Sequence, residues 1–445
     1  MRRIAAGRAY PFEPVSPWLP EPPADLRPPL AGDLCADVAI VGAGCTGLSA
    51  ALALRARGAR VVLLEAEFAG SGSSGRNAGH LAGPAVMDLP VVAWRNGRRG
   101  TERLVRFASE ALRYAERQLA AWEIDCGYRP SGLLMAAIHP RQERRARQWI
   151  DLCGHFGLPL EFLPRAALAE RGIPQTFLCA AYDRSGGVFD PGRLARGLRR
   201  AALAAGVELF EGTAVREICP GSRMHLRCAG GRVRADWALL ATNAYTRELR
   251  PRPRSVIPLR VSGFETAPLT GAQLDALGWQ RWEALNTLHH VLESYRRTEQ
   301  GSIAATSKVF AHGFAGHRPA AYAPGAFRCL EGGFRARFPM LAGVPIRRFW
   351  SGWIAQTTDF RPLLGSDPCC PRLLHGLGYC GHGVAQSMLM GAVLAERIAG
   401  GQHPLEECVR RRAFSWPPEP LTWSAVGLIR LAMRAADLRT DRDLE

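Results

Sequence analysis

Residues 37–65 read as an apolar run, a glycine turn, an apolar stretch of helical spacing, and a third apolar run closed by an acid. The turn is Gly42-Ala43-Gly44-Cys45-Thr46-Gly47. The pattern predicts a buried strand over 37–41, a helix over 46–57 stopped at Gly58, and a second strand over 60–64. Few folds accept such a βαβ unit, because parallel strands joined by a helix need a sheet covered on both faces. Each glycine has its own task. Gly42 permits the tight turn, Gly44 keeps a Cβ out of the path of a pyrophosphate, and Gly47 lets the helix pack closely on the strand. The helix start then aims unpaired N–H groups and its positive dipole end at the phosphates. Glu65 stands 18 residues beyond Gly47, followed by Ala66. A carboxylate there accepts hydrogen bonds from a ribose diol and repels a 2′-phosphate. The turn thus predicts a dinucleotide with a free 2′-hydroxyl and leaves NAD and FAD both open.

The rest of the chain narrows the setting. Its 445 residues imply two or three domains. The net charge is +17, carried almost wholly by arginine, and Lys308 is the sole lysine. The arginines are scattered, with short clusters at 144–145, 199–200 and 410–412. They predict a solvated surface, and no nucleic-acid partner. The twelve cysteines include no CxxC pair, and no Cys/His group has metal-ligand spacing. With no signal peptide evident, a cytoplasmic protein with reduced thiols and no metal is expected. Residues 38–54 carry no charge, but their small turn-forming residues mark a strand, turn and helix, so no transmembrane segment is expected.

Four later segments carry a family resemblance. Residues 69–80 read A-G-S-G-S-S-G-R-N-A-G-H, residues 240–245 L-A-T-N-A-Y, residues 357–362 T-T-D-F-R-P, and residues 378–384 G-Y-C-G-H-G-V. In order and spacing they resemble the D-amino-acid oxidase superfamily of flavoproteins, nearest the branch containing gamma-glutamylputrescine oxidase. The resemblance covers residues 17–400. It implies FAD, with Ser74, Gly75, Arg76, Asn77, Gly79 and His80 on one side of the flavin. Ala241, Thr242 and Asn243 form the strand-end contact, and Gly378, Gly381, His382, Gly383 and Val384 the last loop. A helix starting near Gly383 would stabilise negative charge on reduced flavin. Ser351-Gly352-Trp353 stands where the sarcosine oxidase branch places a flavin-bonding cysteine, so non-covalent FAD is expected. His80 and Cys380 are the outside candidates for a covalent bond.

The resemblance also implies a reaction. The superfamily oxidises C–N bonds of small amines or amino acids by hydride transfer to flavin N5. The imine then hydrolyses, and O2 or another acceptor reoxidises the flavin. Candidate catalytic residues are Lys308, as a cation assisting oxygen reduction, Tyr295 and Arg296 beside the substrate, and His382. The alternatives are an NAD-linked dehydrogenase, resting on the glycine turn and Glu65, and a membrane-surface flavoprotein using a non-oxygen acceptor. The second rests on residues 425–437, where Leu428, Ile429, Leu431 and Ala432 are interrupted by Arg430 and Arg434. That helix is expected to pack on the protein's own core.

The expected fold is α/β (α+β overall), a Rossmann-type FAD-binding domain with a discontinuous mixed-sheet substrate domain. An N-terminal arm covers 1–29. The FAD-binding domain takes 30–85, 183–250 and 345–405, and the substrate domain takes 86–182 and 251–344. A helical extension covers 406–445. The R-P-R-P-R stretch at 250–254 reads as a linker.

Overall fold

The computed structural model describes residues 9–249, 254–411 and 414–442. Of the expected linker, residues 250–253 lie outside the described residues, as does Arg412 of the last arginine cluster.

The glycine turn sits at the centre of the first sheet. Strand Gly32–Val41 pairs in parallel with Val61–Leu64 on one side and Gly231–Leu240 on the other. The sheet continues through Cys370–Leu377 and Leu363–Asp367 at one edge and Glu208–Phe210 at the other. Both faces of the central strands are buried, which is why residues 37–41 and 61–64 are near-continuous apolar runs. The central strand begins at Gly32, five residues earlier than the apolar run suggests, because Gly32 to Ala36 pair with Gly231 to Ala235 at the sheet's margin. Helix Cys45–Arg55 follows the turn and crosses helix Gly383–Ile398 closely. A Cβ on Gly391 would lie 2.6 Å from Ala50 N, and Ser49 Oγ donates to Met388 O at 2.7 Å.

A second, mixed sheet of eight strands carries the remainder. Its order is Ile346–Gln356, Ile257–Thr266, Ile303–His312, Glu293–Arg297, Ala284–Thr287, Leu133–Ala137, Cys179–Asp183 and Glu161–Pro164. All its pairings are antiparallel except Ala284–Thr287 with Leu133–Ala137. The expected boundary at 345 needs correcting. Strand Ile346–Gln356 pairs with Ile257–Thr266 along ten register positions, so the crossing into the first sheet comes after Gln356. Strand partnership is a non-local property that the run of residues does not encode.

Two helices also depart from the sequence reading. The spacing of Leu104, Phe107, Ala111, Tyr114, Ala115, Leu119 and Trp122 predicts an amphipathic helix over 101–122, and the helix observed spans Leu89–Ala121, interrupted at Gly97, whose φ of +66° is outside helical geometry. The last helix, Leu421–Arg442, does not bury its apolar face. Only Thr422, Val426 and Asp437 are buried, whereas Leu428, Ile429 and Leu431 are 68, 52 and 59% exposed. Among the described residues no helix is long and apolar enough to cross a membrane.

Candidate flavin and substrate site

A cavity of about 1120 Å³ opens at the carboxyl ends of the parallel strands, where open α/β sheets bind their ligands. Val41, Leu64 and Ala241, at the ends of three adjacent strands, form its floor. Gly42, Gly44, Cys45 and Thr46 line the nucleotide end. Gly42 has φ of +100°, and a Cβ there would stand 3.0 Å from Ala241 O. A Cβ on Gly44 would come 2.8 Å from Ser74 Oγ. Gly47 lies outside the lining, and its Cβ would overlap Gly42 O at 2.0 Å, so it lets the turn fold back on the helix. Cys45 N–H donates to Ser74 Oγ at 3.0 Å, which leaves the other first-turn amides to an anion.

Glu65 and Ala66 line the same end. The Glu65 carboxylate accepts from Ala43 N at 2.8 Å and Glu67 N at 3.1 Å. Burial pushes its pKa up, and these backbone bonds oppose the shift. The acid is thereby held in a fixed pose at the strand end.

Residues 71–80 form a stitched loop. Arg76 donates to Ser71 O at 2.7 Å, Pro14 O at 2.9 Å and Ser351 O at 3.3 Å, and its guanidinium sits 5.7 Å from the Trp353 ring centre. Asn77 donates to Ser74 O at 2.6 Å and accepts from Gly79 N at 2.9 Å. Ser74, Arg76, Asn77 and His80 line the cavity, while Gly75 and Gly79 lie behind it. A Cβ at Gly75 would meet Gly70 O at 2.5 Å, and one at Gly79 would meet Phe189 O at 2.5 Å.

The opposite wall is the last loop. Gly378 N–H donates to Asn243 Oδ1 at 3.0 Å, which ties it to the segment Ala241, Thr242 and Asn243. Gly381, His382, Gly383 and Val384 line the cavity, and Gly378 does not. Helix Gly383–Ile398 starts there with His382 as its cap residue. Burial lowers the His382 pKa to about 4, so its ring is neutral at pH 7. Tyr379 OH and Thr46 Oγ1 share a 2.7 Å hydrogen bond that joins the two helix starts.

The second sheet supplies the far end: Val261, Ser262, Asn286, Leu292, Ser294, Thr306 and Ser307. His80 faces this group, with Nδ1 3.4 Å from Ser294 Oγ. Burial, reinforced by the charge of Arg296, lowers the His80 pKa to about 3. His80 Nε2 and Asn286 Oδ1 are buried without a protein partner. Among the described lining residues the acids are Glu65 and Glu67, both following the second strand. Trp353, Tyr245 and Arg318 stand together, with the Arg318 guanidinium 4.3 Å from the Tyr245 ring centre.

Three candidate catalytic residues are placed elsewhere. Ser294 faces the cavity, so strand alternation turns Tyr295 to the other face. There it is fully buried and donates from its hydroxyl to Glu293 Oε2 at 2.9 Å. Arg296 is buried behind His80, donating to Ala78 O and lying 4.6 Å over the Trp18 ring. Burial lowers its pKa to about 10. Lys308 contacts Glu293 and Asp441 in a cluster with Arg337 and His289. His289, Glu293 and Asp441 lie close enough together to hold a metal ion, but Lys308 and Arg337 already neutralise them.

The sequence reading missed Trp353, Tyr245, Asn286, Ser294 and Arg318. Tyr245 closes the segment 240–245 and Trp353 the stretch 351–353 named above, whereas Asn286, Ser294 and Arg318 sit in no motif, and strand pairing brings Asn286 and Ser294 to the cavity. The floor, the glycine turn with no room for a Cβ, and the orphaned polar atoms at the far end together fit a flavin dinucleotide with space for a small substrate.

The chain matches the family described as FAD dependent oxidoreductase (DAO) over residues 37–397. It is 30% identical to the probable oxidoreductase OrdL of Rhizobium meliloti over 412 residues, 88% of this chain and 91% of that one. It is 28% identical to gamma-glutamylputrescine oxidoreductase of Escherichia coli over 367 residues, 82% and 84% of the two chains. The solved glycine oxidase of Geobacillus kaustophilus superposes with a TM-score of 0.73 at 22% identity, covering 86% of this chain and all of that one. The match over most of the chain sets aside an NAD-linked dehydrogenase, and the chain belongs to the DAO family of FAD-dependent oxidoreductases.

Proposed function

We propose that this oxidoreductase oxidises the C–N bond of a small amine or amino acid, releasing an imine that hydrolyses in water. The observation that carries the reading is the far end of the cavity. Asn286, Ser294, Thr306, Ser307 and His80 make it polar, with no carboxylate among the described residues there. Such an end favours an uncharged amine, because desolvation penalises the ammonium form and no acid compensates it. His80 is neutral at pH 7, so its unpartnered Nε2 can accept an amine N–H while Nδ1 faces Ser294. Asn286 Oδ1 offers a second acceptor. Relatives named for gamma-glutamylputrescine and glycine support this substrate class.

FAD supplies the two-electron acceptor. Gly42, Gly44 and the first turn at Cys45 and Thr46 would hold its pyrophosphate, and Glu65 its ribose. Ser74, Arg76 and Asn77 would lie on one side of the ring system, and Gly381, His382, Gly383 and Val384 on the other. These residues orient the substrate carbon and exclude water, which is the greater part of what a protein contributes to such a reaction. We assign Lys308, Tyr295 and Arg296 no contact with substrate.

The test is anaerobic mixing of the purified yellow protein with a panel of amines and amino acids. Bleaching of the flavin by an amine, followed by recovery of colour in air, is the expected outcome and identifies oxygen as a competent acceptor. Protein that stays colourless after FAD addition, or a flavin no amine bleaches, overturns the reading.

A further inference from the structure

The last helix presents a face that none of the described residues covers. Its inner side is fixed at three points. Val426 packs with Ile257 and Leu259. Asp437 accepts from His290 N at 2.7 Å and Val291 N at 2.9 Å. Asp441 binds Lys308 Nζ at 2.9 Å and also Arg337. The rotation of the helix about its axis is therefore set, and its two acids both point inward.

What remains outside is apolar. Leu421, Leu428, Leu431, Ala435 and Leu438 recur every three, four or seven residues along one stripe, and the four leucines are exposed. Trp423, half exposed, stands edge-on to exposed Phe314 at 6.5 Å and extends the apolar surface. Arg430, Arg434 and Arg439 are exposed along the same helix. The two acids of the helix are on its inner side, and Arg430 shares their stripe, four residues beyond Val426 and close enough to Arg260 to act on it, so the outward surface pairs leucine with Arg434 and Arg439 and carries neither acid of the helix.

We propose that helix Leu421–Arg442 lies flat on an anionic lipid bilayer, its leucines among the acyl chains and its arginines at the phosphates. An amphipathic helix with leucine on one side and arginine beside it has the composition of interfacial helices. Trp423 at one end suits the headgroup region. Charge decides between this occupant and a second copy of the chain. A symmetric dimer through this face would place arginines near arginines with no acid to pair them. An anionic bilayer satisfies both the leucines and the arginines. Docking would also bring the substrate cavity close to the membrane, since Ile354 lines the cavity and packs in the Val426 cluster.

The experiment is vesicle flotation of the full-length, flavin-loaded protein. The wild type floats with phosphatidylglycerol-rich vesicles at low salt, floats less at high salt, and stays behind with pure phosphatidylcholine. The Leu428→Ser/Leu431→Ser variant binds the anionic vesicles about tenfold more weakly or worse, because two leucines are no longer buried. The Arg434→Gln/Arg439→Gln variant loses most of the salt dependence. Unchanged flavin absorbance shows that both variants are folded. The proposal is overturned if the wild type does not float with anionic vesicles, or if both variants float as well as it does. It is also overturned if sedimentation velocity finds a dimer that the leucine variant abolishes while vesicles bind nothing.

Discussion

Asp441, on the last helix, accepts a hydrogen bond from Lys308 Nζ at 2.9 Å. Lys308 follows Thr306 and Ser307, which line the cavity, so this contact fastens the C-terminal helix to the back of the substrate wall. Glu293, fully buried, completes the clamp through Lys308 and Arg337. Burial alone would push the Glu293 pKa up, but the charges of Lys308 and Arg337 outweigh it and hold the carboxyl at about 2.

The clamp makes Lys308 a structural residue. Replacing it with Met removes one of the two cations bonded to buried Glu293, and losing one partner of a buried pair costs about 3 kcal/mol. We expect Lys308→Met to lower the denaturation midpoint while leaving the rate of flavin reoxidation by oxygen unchanged. The acid limb should also change. A depressed Glu293 pKa stabilises the fold above the unfolded value of 4.5, and that stability is lost as pH falls towards 2. The variant should lose stability less steeply across that window. A slowed reoxidation with unaltered stability would instead assign Lys308 to oxygen chemistry.

How much of this was legible in the sequence follows from the range of each interaction. The turn from Gly42 to Gly47 and the acid at Glu65 are local, because binding a phosphate beside a helix start dictates glycine spacing over a few residues. The βαβ unit could be read for the same reason. Thr46 and Tyr379 share a hydrogen bond across 333 positions, and no local pattern announces it. Asn286 and Ser294 reach the cavity only through the register of the second sheet. Lys308 drew notice as the sole lysine, but composition says nothing about which side of a strand a residue occupies. The last helix read as amphipathic, yet its buried side is set by Asp437 and Asp441, whose partners lie far away in sequence.

The glycine turn offers a graded test. An alanine at Gly47 would place a Cβ 2.0 Å from the Gly42 carbonyl oxygen, which is backbone and cannot move aside. That variant should fail to retain flavin and aggregate on expression. An alanine at Gly44 meets Ser74 Oγ at 2.8 Å, a side chain that can rotate, although it then surrenders its bond from Cys45 N. Gly44→Ala should fold and bind FAD roughly tenfold more weakly, an overpacking cost of about 1–2 kcal/mol. Adding Ser74→Ala should recover part of the loss. Soluble yield reads Gly47→Ala, fluorescence titration of the apoprotein reads Gly44→Ala and the double variant, and wild-type affinity in Gly44→Ala would remove the turn from the phosphate site.

Enclosed histidines predict an early loss of stability in acid. Burial lowers His375 and His382 to about 4, and His80 to about 3. Between those values and 6.5 the unfolded chain binds more protons than the folded one, so stability rises with pH across that range. It is complete above pH 6.5 and falls as acid is added, well before carboxylates titrate. His375 lies outside the cavity lining, so His375→Gln separates this effect from ligand binding. Thermal unfolding between pH 7 and pH 5 should show a smaller drop for the variant. Parallel curves for the two proteins would refute the assignment.

Flavin attachment can be argued from the nucleophiles near the ring site. Cys380 lines the cavity, but burial pushes its thiol up to about 11, and it lies 3.3 Å from Thr357 Oγ1 and 3.2 Å from Gly378 O. The thiolate is the reactive form, and little of it exists at pH 7. Cys45 is likewise raised by burial. His80 is neutral and has an unpartnered Nε2, but its Nδ1 lies 3.4 Å from Ser294 Oγ at the substrate end. We therefore expect none of the described lining residues to bond the flavin. Acid precipitation of the yellow protein should leave all its colour in the supernatant. Colour retained in the pellet would contradict this, and its loss in Cys380→Ala or in His80→Ala would identify the attachment point.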